Sequence, residues 1–61
     1  MKVKELIRIL EKDGYKQIRM KGSHRQYRHP DKKGIVTVAG KHSADIPPGT
    51  LASILKQAGL K

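Results

Sequence analysis

Four apolar residues near each end of the chain, Val3, Leu6, Ile7 and Leu10 and then Leu51, Ile54, Leu55 and Ala58, repeat the i, i+3, i+4, i+7 spacing of a helix with one buried stripe. The first helix should stop near Gly14, and the second should start around Pro48 to Thr50 and end at Gly59, where a C-terminal glycine belongs. Tyr15 to Lys21 alternates, with Lys16, Ile18 and Met20 on one side and Tyr15, Gln17 and Arg19 on the other. Gly22 signals a turn, Ser23 to His29 reads as a second strand closed by Pro30, and "HPDKKG" forms a hairpin loop into a third strand, "IVTVAG". The order α-β-β-β-α predicts an α+β two-layer sandwich: a three-stranded antiparallel sheet with both helices on one face and the other face wet. Residues 1–61 read as a single domain, with no repeat, linker or low-complexity tract.

A chain of 61 residues buries only about 60% of the surface its unfolded form exposes, which leaves no room for a deep substrate cavity. Chemistry on such a scaffold belongs on an open face, and an open face suits a polymer better than a small metabolite. Cysteine is absent, so neither a disulfide nor a thiolate zinc site supplements the core. The three histidines, His24, His29 and His42, show no i, i+4 pairing, and neither a metal nor another cofactor is expected. Lys and Arg number 14 against 5 Asp and Glu, a net charge of +9 that calls for a polyanionic partner. The N-terminus carries no apolar run of signal-peptide length, so the expectation is a soluble cytoplasmic protein that does not use a membrane.

The stretch "KGSHRQYRHP", Lys21 to Pro30, concentrates that charge around a histidine. In a regular strand Tyr27 and the stem of Arg25 share the core face, while His24, Gln26 and Arg28 share the wet one, beside Arg19 and Lys21 of the neighbouring strand. Histidine exchanges a proton near neutrality, and cations hold phosphodiesters; together they meet the needs of RNA transesterification, a base for the 2′-OH or an acid for the leaving 5′-oxygen. Gly22, lacking a Cβ, lets a nucleotide backbone approach, and Ser23 can cap the turn or donate to phosphate. The same residues also fit a non-catalytic RNA-binding module of the double-stranded-RNA-binding-domain type, and chemistry alone leaves both readings open. His29, before Pro30 and near Asp31, is expected to serve the turn, and His42 to be an exposed loop residue. In "DIPPGTL", Ile46 anchors the loop and Pro47 and Pro48 stiffen it. The helix that follows offers N–H groups suited to phosphate.

Taken together, "GSHRQYRHP" at Gly22 to Pro30 and "IPPGTLASILKQAGL" at Ile46 to Leu60, with the basic first helix, resemble the HicA family of bacterial toxins over almost the whole chain. The resemblance implies a double-stranded-RNA-binding-domain-like fold and the toxin role in a type II toxin–antitoxin system. It further implies metal-independent endonuclease cleavage of mRNA, with the catalytic histidine falling on His24. It also implies a HicB-like antitoxin that covers this histidine. Lys21, Gly22, Ser23, Arg25 and Arg28 are the expected RNA contacts. One departure is visible: "VAGKH" places Ala39 where many relatives resemble Val-Pro, which should loosen that loop slightly.

Overall fold

The computed structural model describes residues 1–60. It contains α1 (Val3–Asp13), β1 (Lys16–Lys21), β2 (His24–Arg28), β3 (Ile35–Ala39) and α2 (Pro48–Gln57), the predicted α-β-β-β-α order. The strands form one antiparallel sheet in the order β1-β2-β3. The α1 stripe of Val3, Leu6, Ile7 and Leu10 is buried against the covered sheet face, where Tyr27, Val36 and Val38 alternate with exposed or half-buried neighbours. From α2, Ile54 and the following Ala58 are buried, and Leu51 and Leu55 pack against the same cluster. Five of these side chains, Val3, Leu6, Leu10, Tyr27 and Val38, are almost wholly shielded, and burial of each contributes roughly 1.5–3 kcal/mol.

Both helices end as their sequences require. Gly14 takes φ 111°, and Tyr15 N–H reaches back to Leu10 O at 3.0 Å. Gly59 takes φ 71°, and Leu60 N–H reaches Leu55 O at 2.9 Å. Each is a left-handed glycine that returns a donor to an orphaned carbonyl of the last turn. The start of α1 has no side-chain cap; its amides are satisfied from far along the chain, Val3 N–H by Ala44 O at 2.9 Å and Lys4 N–H by His42 O at 3.1 Å. An isolated bridge between Lys2 and Asp45 completes this clamp. The loop before α2 therefore positions both helices.

The first strand departs from strict alternation. Lys16 pairs with Arg28 and Gln17 with Tyr27, but Arg19, not Ile18, pairs with Gln26, so Ile18 is a bulge. The extra residue lets Tyr15 and Gln17 follow the covered face while Lys16, Arg19 and Lys21 all reach the open one. The expected groupings of Lys16 with Met20 and of Arg19 with Tyr15 and Gln17 are corrected accordingly, because Met20 pairs with Arg25 on the covered side and Arg19 with Gln26 on the open one.

Candidate nucleic-acid interface

A two-residue turn, Gly22–Ser23, connects β1 to β2, and Lys21 and His24 are the ladder partners flanking it. Gly22 has φ 59° and Ser23 does not have a positive φ, the pattern of a type II′ hairpin turn with glycine at its first central position. That turn fits the right-handed twist of the strands and fixes the register of everything after it. His24 is thereby the first residue of β2, exposed on the uncovered sheet face.

The pairing assembles three rows across this face: Lys21, His24 and Ala39; Arg19, Gln26 and Thr37; Lys16, Arg28 and Ile35. Four cations thus surround the imidazole and the Gln26 amide. All five acidic residues lie elsewhere: Glu5, Glu11 and Asp13 on α1, Asp31 in the β2–β3 loop, Asp45 before α2. With no carboxylate in the rows to neutralise them, these cations remain available to an anion.

Of the expected contacts, Lys21, Gly22, Ser23 and Arg28 are exposed around His24, and Arg25 does not join them. Its side chain is 91% shielded on the covered face, and Nη1 donates to Gly40 O at 2.7 Å. Alternation places its stem with Tyr27, as expected, and the head follows the stem. The backbone of Gly40 also donates N–H to Ser23 O at 3.1 Å, so Arg25 ties the end of β3 to the turn that presents His24. Lys16 is the cation that alternation alone assigns to the wrong side, since a bulge leaves no local mark in "YKQIRMK".

His29 is buried and bound on both ring nitrogens. Asp31 N–H donates to Nδ1 at 3.0 Å, so Nε2 carries the hydrogen that it gives to Asp13 O at 2.7 Å. The ring meets Tyr15 edge-on at 5.0 Å. Beside it Lys32 Nζ binds Asp13 Oδ2 at 2.6 Å and Ala58 O at 2.9 Å, and the Tyr15 hydroxyl donates to Ala58 O at 3.3 Å. His29 serves the β2–β3 turn, as expected, and the cluster joins that turn to the ends of both helices. His42 is exposed, with its carbonyl on Lys4 N–H. Burial pushes the Tyr27 hydroxyl above its ordinary pKa; Arg25 opposes the rise and Glu11 adds to it.

Among the described residues no three His, Asp or Glu side chains gather as a metal site. No helix there is long and apolar enough to cross a membrane. A family model described as the HicA toxin of bacterial toxin–antitoxin systems matches residues 3–60. A search of curated proteins gave no match.

Proposed function

The chain belongs to the HicA family of toxins from bacterial toxin–antitoxin systems, and from that membership we propose that it is a metal-independent endoribonuclease that cleaves mRNA with His24 as acid–base residue. One observation carries the reading: the exposed His24 stands within a carboxylate-free field of Lys16, Arg19, Lys21 and Arg28. A phosphodiester laid on this face finds cations for its non-bridging oxygens and an imidazole at the bond to be broken. In the transesterification the ribose 2′-oxygen loses its proton to a base and attacks phosphorus. The bond to the 5′-oxygen breaks, and an acid protonates that leaving oxygen. The products are a 2′,3′-cyclic phosphate and a 5′-hydroxyl, and in this reading His24 moves these protons.

Lys21 holds the phosphate beside His24, and Arg19 and Arg28, one and two rows farther along the sheet, hold neighbouring phosphates of the strand, while the Gly22–Ser23 turn supplies a small approach and a hydroxyl. Arg25 supports the site from beneath by fixing Gly40. An antitoxin of the HicB type with acidic groups over the same rows would displace RNA by occupying its cations. The test is incubation of purified protein with RNA in EDTA, beside an all-DNA strand of the same sequence. Fragments from RNA alone are expected. A salt-sensitive gel shift with intact RNA would overturn the enzymatic reading in favour of a binding module.

A further inference from the structure

The open face changes character from one edge to the other. The β1 side carries Lys16, Arg19 and Lys21, whereas β3 contributes Ile35, Thr37 and Ala39, none charged. The Gly40 N–H to Ser23 O bond identifies that pair as hydrogen-bonded. Alternation along the antiparallel ladder then makes Arg25/Val38 and Tyr27/Val36 bonded pairs and His24/Ala39 and Gln26/Thr37 non-bonded ones. Two things follow. Ala39 and Thr37 stand close to His24 and Gln26, with Cα atoms about 4.5 Å apart. Their own N–H and C=O groups point out of the sheet, toward its free edge.

That edge is one wall of an open groove of about 570 Å³, within the range of small-molecule sites. Thr50, Ser53 and Gln57, one exposed stripe of α2, form the opposite wall. Among the described residues no Lys or Arg lines it, and its one charged residue there, Asp45, is paired with Lys2 at 3.3 Å. A polynucleotide has an anionic backbone and neutral, hydrogen-bonding bases. The interface has a cationic half and a neutral, hydroxyl- and amide-lined half, with His24 on the boundary.

We propose that the groove between the free edge of β3 and α2 receives the nucleobase next to the phosphate held at His24, an inference that rests on the ribonuclease reading. The sugar–phosphate chain then tracks β1 and β2, and the base projects over Ala39 and Thr37. Thr37, Thr50, Ser53 and the edge N–H and C=O groups offer the mix of donors and acceptors that distinguishes one base from another. Sequence preference of cleavage is set here, and the rate by the cations.

The experiment sequences the cuts made in a random RNA pool by the wild type, Thr37→Val, Ser53→Leu and Lys21→Ala. All three positions are exposed, and unchanged thermal melts verify folding. The groove variants should alter the base preferred beside the cut, by about 2- to 13-fold between bases, the range of one lost neutral hydrogen bond. Lys21→Ala should slow all sites alike. An unchanged preference profile in both groove variants overturns the proposal, and loss of antitoxin binding in those variants instead would make the edge a protein-docking site. A second arm uses ¹⁵N-labelled His24→Ala protein with a short oligoribonucleotide and its abasic analogue. Base-dependent amide shifts at Thr37, Ala39 and Ser53 support the groove even if the wild type cuts no RNA; shifts limited to β1 and β2 overturn it.

Discussion

Arg25 Nη1 lies 2.7 Å from Gly40 O, on the side of β2 turned away from His24. Two arginines of one strand, Arg25 and Arg28, consequently have opposite duties. Arg25→Ala removes a charge-assisted bond and a buried stem, and should destabilise the fold by about 2–3 kcal/mol. Arg28→Ala, at an exposed position, should alter stability by no more than about 0.5 kcal/mol while lowering RNA affinity and reducing its salt slope by about 1. Denaturant unfolding together with RNA binding measured across salt concentrations separates the two. A large affinity loss with an intact fold in Arg25→Ala would contradict the assignment.

His24 makes no side-chain hydrogen bond among the described residues and is exposed, so His24→Ala leaves no hole in the core. Cleavage should fall about 10²- to 10⁴-fold, the usual contribution of a positioned acid or base, with RNA affinity and melting temperature nearly unchanged. Single-turnover cleavage beside a binding titration checks this. Cutting at the original rate would remove His24 from the chemistry.

Much of this was legible in the sequence because it depends on periodicity. The stripe of Val3, Leu6, Ile7 and Leu10 and the alternation of Arg25, Tyr27, Val36 and Val38 each obey one period from end to end, so the covered face and the exposure of His24 followed directly. What was not legible depends on pairing over distance. The bulge at Ile18 reconciles the buried Tyr15, with Gln17 on its side of the sheet, with Arg19 and Lys21 on the other side, a change of phase visible only once β1 is placed against β2. The clamp of Ala44 and His42 carbonyls on α1, and Lys32 bridging Asp13 and Ala58, link residues with no local signature. The neutral groove likewise arises only when α2 is laid beside β3.

Gly22 allows turn geometry and access to be tested separately. A Cβ there would meet nothing within 4 Å, but φ 59° disfavours an L-residue. Gly22→Ala should therefore cost about 1–2 kcal/mol through the backbone alone. A synthetic chain with D-alanine at 22 keeps the turn and should recover that stability. If the glycine also provides room for a nucleotide, the D-alanine chain will melt like the wild type yet cleave more slowly; full activity would confine Gly22 to the turn.

Gly14 leaves no room for a side chain beside His29. A Cβ on Gly14 would stand 2.8 Å from His29 Nε2, in addition to the strain of φ 111°. Gly14→Ala should cost about 2 kcal/mol or more, which for a domain of this size lowers the melting temperature by about 10 °C. His29→Ala should cost a similar amount by orphaning Asp13 O and Asp31 N–H. Calorimetry tests both, and an undisturbed melt in either variant would show that this junction does not hold the helices to the sheet.

Tyr27 gives the fold an alkaline limit. Its hydroxyl pKa is raised by burial in the folded state, so the folded chain keeps a proton that the unfolded chain releases near pH 10. The unfolded state then binds fewer protons, and stability must fall as pH increases. The contribution is whole below about pH 10 and is lost as pH climbs through the higher folded value. Among the described residues the side-chain partner of the hydroxyl is Gln17 Oε1 at 3.5 Å, too long to add much, so Tyr27→Phe should be within about 1 kcal/mol of the wild type at pH 7. Denaturant midpoints of the two proteins from pH 7 to 11 should therefore start together and separate above pH 10, with the phenylalanine variant the more stable. Parallel curves over that range would mean that the phenol ionises equally easily in both states, contrary to its place beneath the sheet.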